Sequence, residues 1–412
     1  MRRPHVVRFP ARLFCVLLAA VLLLALPGCV GQTSPDPAES SPLPSADVSS
    51  PTPADVQPTI SPDLFYANGR DVYVYSEPSD NVDNLLGIMK AGTTVIRLEE
   101  QDDFMRVRWN DGEVWCRSWY LAAEDPAVEA ERDVARFERL SATPGCLLGS
   151  EPLTCYTTAT KLNCRAEPNT SSAVLDQLPA GTAVTLYGQV KTFGLVRIPS
   201  GQLCFCSTYY LSGSALCAVY PGAIDLRALL PRARFEILFA SSYNITGRSL
   251  YPAIPLLEKQ TASMLFTAYQ AFLDDGYILK IYDAYRPMSA QVALYDIVQD
   301  PRYIADPNNW GSWHQRGRAV DISLVDMATG EELEMPTPMH TFNSSAARSR
   351  RSSWSEEAQK NVDYMTDVMT KAGFSTISSE WWHFEYNGDG YMLPVEIDYD
   401  SLSYLPASEY FN

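Results

Sequence analysis

Short runs of alternating apolar and polar residues fill the middle of the chain, with proline, glycine or asparagine between one run and the next. This alternation is typical of small antiparallel strands. The pattern occurs twice. VYVYSEPSDNVDNLLGIMKAGTTVIRL from Val72 is echoed by LNCRAEPNTSSAVLDQLPAGTAVTLYG from Leu162, and VWCRSWYL ending at Leu121 is echoed by CFCSTYYL ending at Leu211. The sequence therefore predicts a duplicated all-β unit.

We call the two units copy 1, residues 63–123, and copy 2, residues 155–213. A linker at residues 124–154 joins them. Its charged, glutamate-rich part from Glu124 to Leu140 predicts a short helix.

Beyond Leu216 the apolar periodicity lengthens. A first predicted helix, which ends at Gly276, has core-facing positions three or four residues apart, namely Leu257, Thr261, Leu265, Ala268 and Phe272. YILKIYDAYRP then alternates like a buried strand, and SWSEEAQKNVDYMTDVMTKAGF predicts a second helix with Ser353 or Ser355 as its N-cap. Helices beside short strands, without regular alternation, predict an α+β domain at residues 218–412.

The N-terminal residues combine a basic start, an apolar run from Phe14 to Leu26 and small residues before Cys29. The run is shorter than the roughly 20 apolar residues of a membrane-spanning helix, so residues 1–28 are predicted to be an export signal. LPGC, which ends at Cys29, resembles the lipobox of bacterial lipoproteins, which implies cleavage before Cys29 and acylation of its thiol. An ordinary secretory signal is the alternative.

Residues 29–62 consist mainly of Ser, Pro, Thr, Ala and Asp, so they are predicted to be a flexible tether. With the lipid on Cys29, this tether would hold the folded part outside the cytoplasm, near the bacterial cell membrane. The 32 basic residues are outnumbered by 49 acidic ones, so nucleic acid is not an expected partner. The remaining length exceeds what one core usually holds, so we expect two or three domains, with small all-β units followed by the α+β domain.

Seven cysteines precede the histidine-bearing part of the C-terminal domain: Cys116, Cys146, Cys155, Cys164, Cys204, Cys206 and Cys217. The odd number leaves at least one thiol unpaired, and the pattern does not define a connectivity. A cysteine-only zinc site that uses Cys204 and Cys206 is an alternative, although no second pair has the spacing of a zinc ribbon. Since no cysteine follows Cys217, a cysteine-dependent hydrolase is excluded.

Three of the four histidines, His314, His340 and His383, fall within 70 residues of the C-terminal domain. This clustering favours ligands over scattered structural imidazoles. Between His314 and Asp321 an extended chain would span about 23 Å, so two ligands of one ion require a reversal, which Gly317 allows. Beyond it, Asp321 is a charged residue within an apolar strand, which is costly unless a cation or a hydrogen-bond partner meets it.

At Glu380-Trp381-Trp382-His383 the separation of three requires a turn before a strand at His383. His383 is then a third ligand beside His314 and Asp321. Three protein ligands and one open position suit a catalytic zinc ion. Glu380 is predicted to lie outside the coordination sphere as general base and later acid.

Two family resemblances follow from these motifs. Both copies resemble bacterial SH3-like modules, whose pattern LNVR-x-x-P, L-x-x-G-T-x-V and a closing aromatic Y-L is visible over about 60 residues of each copy. The resemblance implies two small all-β barrels that bind the cell wall or a protein, and rigid spacers are the alternative. S-x-H-x-x-G-x-A-x-D at Ser312 to Asp321, with E-x-W-H at Glu380 to His383, closely resembles the zinc D-alanyl-D-alanine dipeptidases and D,D-carboxypeptidases over roughly residues 218–394.

The peptidase resemblance implies one Zn²⁺ per chain and assigns further roles. DAYRP at residues 283–287 is similar to the family motif D-G-Y-R-P, which implies that Arg286 polarises the scissile carbonyl and steadies the oxyanion. The residue-based alternative for Arg286 is a structural salt bridge. Ser312 and Trp382 are expected to contact the substrate, with the neighbouring tryptophans as pocket wall.

One position departs from the family. MPTPMHTF at residues 335–342 places His340 where the motif M-G-T-x-x-D has an acidic residue that we expect to hold a substrate ammonium. His340 is therefore a candidate substrate-binding residue with a weaker grip on ammonium, and its replacing Asp321 as a ligand is an alternative. The expected substrate is the D-Ala-D-Ala dipeptide or a peptidoglycan stem peptide. A non-catalytic wall-binding lipoprotein is the competing hypothesis.

Overall fold

The structure, a computed structural model, describes residues 63–68, 71–123 and 126–411. The predicted export signal, the tether and Cys29 lie outside these residues. Within the described part, no helix combines the length and the apolar character that crossing a bilayer requires.

Copy 1 is a seven-stranded antiparallel sheet. Its strands are β1 (Leu64–Ala67), β2 (Val72–Tyr75), β3 (Leu85–Met89), β4 (Thr94–Gln101), β5 (Phe104–Trp109), β6 (Gly112–Arg117) and β7 (Leu121–Ala123). They are ordered β3-β2-β6-β5-β4-β1-β7. The alternating apolar positions face one core, in which Phe65, Val74, Met105 and Val107 are fully buried.

The linker forms the predicted helix, α1 (Pro126–Ser141). Arg132 and Arg136 on this helix reach copy 1, where they donate to the backbone carbonyl and to the hydroxyl of Ser118, respectively. The prediction of a short helix in the linker is confirmed.

Copy 2 is also a seven-stranded antiparallel sheet. Its strands are β8 (Leu147–Thr157), β9 (Lys161–Arg165), β10 (Val174–Pro179), β11 (Ala183–Val190), β12 (Phe193–Arg197), β13 (Leu203–Ser207) and β14 (Leu211–Ser212). The order β10-β9-β13-β12-β11-β8-β14 repeats that of copy 1 strand for strand. The duplication seen in the sequence is therefore a duplication of topology.

The C-terminal domain contains the remaining nine strands and five helices of the described part. The strands are β15 (Leu216–Val219), β16 (Ala223–Asp225), β17 (Arg234–Phe235), β18 (Leu256–Glu258), β19 (Tyr277–Asp283), β20 (Ala319–Asp326), β21 (Ser375–Thr376), β22 (His383–Glu385) and β23 (Ser403–Pro406). The helices are α2 (Leu226–Leu229), α3 (Lys259–Asp274), α4 (Met288–Val298), α5 (Glu356–Lys371) and α6 (Ala407–Tyr410).

The main sheet of this domain has five strands in the order β17-β19-β20-β22-β21. Only the β17 and β19 pair is parallel among these neighbours. Two smaller sheets pair β15 with β23 and β16 with β18. The mixture of a small mixed sheet and separate helices confirms the predicted α+β class for this domain.

Both predicted helices are present. The first is α3, whose core-facing positions from Thr261 to Phe272 are buried. Leu257 lies outside it, in β18, because the side chain of Glu258 accepts hydrogen bonds from Gln260 N and Thr261 N and so begins the helix there. Helix α5 begins at Ser355, whose hydroxyl accepts from Ala358 N at 3.0 Å, so the second of the two predicted N-caps is the correct one.

All seven described cysteines are free thiols. Four of them, Cys155, Cys164, Cys204 and Cys206, are fully buried in the core of copy 2. Within the described residues, no metal-ligand group includes Cys204 or Cys206, so the alternative of a cysteine-only zinc site is not supported there.

Candidate metal centre

Three neighbouring strands place the candidate site at one end of the main sheet. In the register of the sheet, Asp321 on β20 lies opposite Asp283 on β19 and opposite His383 on β22. His314 enters from a short 3₁₀ turn at Trp313–Arg316 that precedes β20. Gly317 ends this turn at φ +65°, the left-handed conformation that the reversal between His314 and Asp321 requires.

The structure brings His314, Asp321 and His383 together. Asp321 Oδ1 lies 3.3 Å from His314 Nε2 and 3.1 Å from His383 Nδ1, and the two imidazole nitrogens are 3.2 Å apart. All three side chains are buried.

This donor set fits a zinc ion. Zinc bonds to histidine nitrogen and carboxylate oxygen are about 2.0–2.2 Å long, so a tetrahedral site holds its donors roughly 3.3–3.5 Å apart. The observed separations of 3.1–3.3 Å match this spacing closely. Two imidazoles and one carboxylate leave a fourth position, as in catalytic zinc sites.

The outer nitrogens of both imidazoles are held by acceptors. His314 Nδ1 is 2.7 Å from the carbonyl oxygen of Ala284, and His383 Nε2 is 3.0 Å from Glu385 Oε2. If each outer nitrogen donates, the lone pairs of His314 Nε2 and His383 Nδ1 point to the centre. Glu385 thus orients a candidate ligand. No role was predicted for it, although its place two residues after His383, on the same face of the strand, could have indicated one.

Electrostatics keep the Asp321 carboxylate ionised. Burial alone would raise its pKa, but His314, His340 and His383 hold the pKa well below the ordinary value. Burial also opposes the charge on His383, yet hydrogen bonds to Asp321 and Glu385 raise its pKa to about 10. A cation that binds His383 Nδ1 therefore displaces a proton.

Arg286 lies beside this centre, buried rather than on the surface. Its Nε and Nη2 donate to Asp283 Oδ2 at 2.9 and 2.5 Å, and its Nη1 donates to Gln291 Oε1 at 2.9 Å. Nη2 is 3.9 Å from Asp321 Oδ2. Burial disfavours the guanidinium charge, but Asp283 and other neighbours raise the pKa of Arg286, so it stays cationic.

Asp283 binds this arginine, and its carboxylate has no hydrogen-bond acceptor position left for solvent. Besides Arg286, it accepts hydrogen bonds from Tyr251 Oη at 2.6 Å and from Ala284 N at 2.9 Å. Asp283 lies in the same DAYRP motif as Arg286, but no role was predicted for it. Tyr251 and Gln291 lie outside the motifs that indicate the site.

Glu380 lies in the bend before β22 and is 5% exposed. Burial, with a smaller contribution from Asp321, raises its pKa to about 8, while His383 and Arg286 act in the opposite direction. Arg348 holds the backbone of this bend, since it donates to the carbonyl oxygens of Glu380 and Trp381 at 3.1 and 2.7 Å.

His340 stands behind Asp321 and is not part of the converging group. Its Nε2 is 3.1 Å from Asp321 Oδ2, the oxygen that faces away from the other two histidines. The ring stacks between Phe239 and Phe342, with centroid distances of 4.8 and 5.3 Å. The donor atoms that converge belong to His314, Asp321 and His383. In this group His340 does not take the place of Asp321.

Two other predicted substrate contacts lie close to the centre in supporting positions. Ser312 caps the 3₁₀ turn: its hydroxyl accepts from His314 N, and its own N–H donates to Gln315 Oε1. Trp382 is fully buried, with its ring 5.9 Å from that of His340. Contact of either residue with a substrate stays a prediction.

The comparisons with known proteins agree with this geometry. The peptidase M15 family, described as D-Ala-D-Ala dipeptidase, matches residues 221–399, and the bacterial SH3 domain family matches residues 160–212, within copy 2. D-alanyl-D-alanine dipeptidase from Escherichia coli (strain K12) is 36% identical over 170 residues, which cover 39% of this chain and 83% of that protein.

Two further similarities are weaker. D-alanyl-D-alanine dipeptidase from Enterococcus faecium is 24% identical over 194 residues, which cover 41% of this chain and 94% of that protein. Among solved structures, NlpC2 from Trichomonas vaginalis matches over 37% of this chain and 48% of that chain, with 13% identity and a TM-score of 0.14, a similarity too low to support any argument.

The family match at residues 221–399, which spans every residue of the candidate centre, and the E. coli relative show that this chain belongs to the peptidase M15 family of metallopeptidases.

Proposed function

We propose that the protein is a zinc-dependent peptidase that hydrolyses the bond between two D-alanine residues in cell-wall metabolism. The observation that carries the proposal is the convergence of His314 Nε2, Asp321 Oδ1 and His383 Nδ1 within 3.3 Å of one another. The names of the M15 relatives supply the substrate class.

These three atoms would hold the ion. When bound, Zn²⁺ lowers the pKa of a coordinated water to about 7 and polarises a carbonyl oxygen. Hydrolysis also needs a general base and a fixed cation, and residues around the centre supply both.

Glu380 is the proposed general base and later acid. A carboxylate moves protons efficiently when its pKa lies near the working pH, and burial brings the pKa of Glu380 to about 8. It would take a proton from the attacking water and deliver it to the amine that leaves. An intact base argues against the competing hypothesis of a non-catalytic wall-binding lipoprotein, because a purely structural metal site needs none.

Arg286 is the proposed stabiliser of the oxygen that gains charge during attack. Preorganised donors are effective because they need no reorientation as charge develops. Asp283 and Gln291 fix three of the five N–H groups of this guanidinium, with Nη2 3.9 Å from the carboxylate of Asp321.

A second candidate function is a D,D-carboxypeptidase that trims peptidoglycan stem peptides. The observation that favours it is His340. This residue occupies the position at which the dipeptidase motif has an acidic residue, and its imidazole is hydrogen bonded to Asp321. An imidazole holds a substrate ammonium less strongly than a carboxylate does, so a longer peptide without a nearby free amine becomes acceptable.

We further propose that both copies are SH3-like barrels that bind the cell wall, and that a lipid on Cys29 anchors the protein outside the cytoplasm. The family match to copy 2 and the identical strand order of copy 1 support the first part. The motif LPGC supports the second.

The test is release of D-alanine by the zinc-loaded protein from D-Ala-D-Ala and, in parallel, from a stem pentapeptide. Release from the dipeptide that stops on chelation and returns with zinc is the expected result. Release from the pentapeptide alone would select the carboxypeptidase. Bound zinc with no release from either substrate would refute both and leave the wall-binding lipoprotein.

A further inference from the structure

Tyr251 is hydrogen bonded to the carboxylate that holds Arg286. Its hydroxyl donates to Asp283 Oδ1 at 2.6 Å, while Asp283 Oδ2 accepts from Arg286 Nε at 2.9 Å and from Arg286 Nη2 at 2.5 Å. The two oxygens of one carboxylate therefore have different partners, the tyrosine hydroxyl and the guanidinium. All three side chains are buried, so these bonds form in a low dielectric, where they are stronger than in water.

The ring of Tyr251 is fixed by its neighbours. It stacks on the ring of Tyr399, with centroids 6.0 Å apart and an angle of 12° between the planes, and it lies 6.5 Å from the ring of Phe239. Leu250 N donates to Phe239 O at 2.8 Å and closes the base of the loop that ends at Tyr251. Because the ring is packed in this way, its hydroxyl is a fixed point that orients the Asp283 carboxylate.

The other end of this loop contacts the arginine directly. Cζ of Arg286 lies over the ring of Phe239, 4.9 Å from its centroid, which is a cation–π contact. Phe239 and Tyr251 thus reach the same guanidinium by two routes, one through a ring face and one through Asp283. Neither residue is near DAYRP in the sequence.

The hydroxyl of Tyr251 stays a donor over the working pH range. Burial and the charge of Asp283 raise the pKa of Tyr251 well above its ordinary value. Without this hydroxyl, Asp283 Oδ1 would keep only the hydrogen bond from Ala284 N at 2.9 Å. A buried carboxylate oxygen that loses such a partner turns toward another donor, and the guanidinium bound to the same carboxylate moves with it.

We infer that Tyr251 is a positioning residue for the peptidase reaction, which acts through Asp283 to fix Arg286 beside the metal centre. The inference rests on the proposed function, in which Arg286 stabilises the oxygen that gains charge during attack. Such a donor is effective when its place is set before the charge develops. Arg286 Nη2 lies only 3.9 Å from Asp321 Oδ2, so a small movement of the guanidinium changes its place relative to the centre.

Tyr251→Phe tests the role, because it removes the hydroxyl and keeps the ring. We expect kcat for D-Ala-D-Ala to fall about 10–100-fold, the usual cost of losing a group that orients a residue of a metal site. KM and zinc affinity should change little. Tyr269→Phe is the matched control, since Tyr269 is also buried in this domain and its hydroxyl accepts from Arg232 N at 3.0 Å instead of donating to Asp283. It should turn over as the unmodified protein does.

A double-mutant cycle separates positioning of Arg286 from a general loosening of the domain. In an Arg286→Lys background the fixed fork of the guanidinium is already lost. Tyr251→Phe should then lower kcat by less than about twofold further, because the two changes remove the same interaction, whereas independent changes multiply their effects on the rate.

A second readout does not depend on turnover. In the zinc-loaded protein labelled with ¹⁵N-arginine, the Nε–H signal of Arg286 is identified by its loss in Arg286→Lys. We expect this signal to shift in Tyr251→Phe and to stay in place in Tyr269→Phe. If the unmodified protein releases no D-alanine, the proposed function fails, and this signal still decides whether Tyr251 fixes Arg286.

Three results would overturn the inference: an unmoved Arg286 signal in Tyr251→Phe, a kcat equal to that of the Tyr269→Phe control, or independent effects of Tyr251→Phe and Arg286→Lys. A loss of zinc in proportion to the loss of rate would also overturn it, by assigning the effect to the metal ligands. If Tyr251→Phe fails to fold, Tyr399→Leu takes its place. This variant keeps the hydroxyl but removes the stacked ring, and it should move the same signal; an unmoved signal would refute the role.

Discussion

At the scale of single residues, the two oxygens of Asp321 have different tasks. Oδ1 faces His314 and His383, while Oδ2 accepts from His340 and lies 3.9 Å from Arg286 Nη2. Oδ1 is therefore placed to bind an ion, and Oδ2 is held by the hydrogen bond from His340, which keeps the carboxylate from rotating. His340 acts here as support for a ligand, which explains how an imidazole at this position is compatible with an intact centre.

Replacing Glu380 tests the general base. Glu380→Gln keeps the size of the side chain but removes its ability to accept a proton, so we expect the turnover of D-Ala-D-Ala to fall by roughly 10²–10⁴-fold. Zinc content, measured by atomic absorption, should stay at one ion per chain. Glu331→Gln, at an exposed carboxylate of the same domain, is the control. Turnover equal to that of the control would show that Glu380 is not the general base.

Replacing Arg286 tests the oxyanion role. Arg286→Lys keeps the charge beside Asp283 but loses the fixed fork, and we expect kcat to fall about 10²–10³-fold, as for removal of one oxyanion donor. Zinc affinity, measured by competition with a chelator, should change far less. Arg227→Lys is the matched control, since Arg227 also pairs with a fully buried aspartate, Asp225, outside the centre. A loss of zinc in proportion to the loss of rate would indicate a structural salt bridge, the alternative reading.

At the scale of elements, the centre depends on the register of three adjacent strands. β19, β20 and β22 bring Asp283, Asp321 and His383 into one row across the sheet. A slip of one residue would turn Asp321 to the opposite face, because side chains alternate along a strand. The reversal before β20 sets this register, and it depends on Gly317.

We expect Gly317→Ala to weaken zinc binding and to destabilise the domain by roughly 1–3 kcal/mol, the cost of a strained non-glycine conformation. A Cβ there would also lie 2.5 Å from Leu393 Cδ1 and 2.9 Å from the backbone nitrogen of Glu258. Gly247→Ala is a matched control, because its φ of +66° is nearly the same and no heavy atom lies within 4 Å of its Cβ. Urea unfolding and a zinc titration measure both effects. Equal losses in both variants would show that backbone strain, and not crowding at the centre, is the cause.

At the scale of the whole molecule, each copy uses the same position to contact the domain that follows it. Trp119 of copy 1 packs into the core of copy 2, and Tyr209, 90 positions later, places its ring 5.9 Å from Phe266 on α3 of the peptidase domain. Leu147 and Ser150 of β8 also reach this domain: Leu147 packs against its core, and Ser150 N donates to Met327 O at 2.8 Å. The duplicated unit therefore repeats a mode of connection as well as a fold.

The buried thiols of copy 2 predict a loss of stability in alkali. Burial raises the pKa of Cys155 to about 12 and raises those of Cys204 and Cys206 well above the ordinary value. Between about pH 9 and 12 the unfolded thiols lose protons and the folded ones keep them, so stability falls as pH rises, by about 1.4 kcal/mol per unit for each thiol. Below pH 8 these groups contribute no pH dependence.

The measurement is the free energy of unfolding in urea from pH 8 to 10.5, for the unmodified protein and for Cys155→Ala. Other groups that titrate in this range contribute to both proteins, so the difference in slope isolates the thiol. We expect the variant to have the shallower slope. Identical slopes would show that Cys155 ionises equally well in the folded state.

The sequence predicted more of the metal centre than of the junctions between domains. His314, Asp321 and His383 stood out because histidine is scarce in this chain and a charged residue inside an apolar strand requires a partner. Asp283 shares a motif with Arg286 and was within reach of the same reasoning. Phe239 could not be predicted in this way. It stacks on the ring of His340 from about a hundred residues away in the sequence, and no local pattern links the two.

By itself, the sequence determined the duplication, the presence of two helices of the C-terminal domain and the three side chains that converge, because these depend on local periodicity and on residue types with restricted chemistry. Only the tertiary structure decided which oxygen of Asp321 faces the histidines, that His340 supports it, and that Trp119 packs into the core of copy 2. These features arise where segments distant in sequence pack together, and the relative placement of such side chains is set by the whole core, not by the residues adjacent to them in the chain.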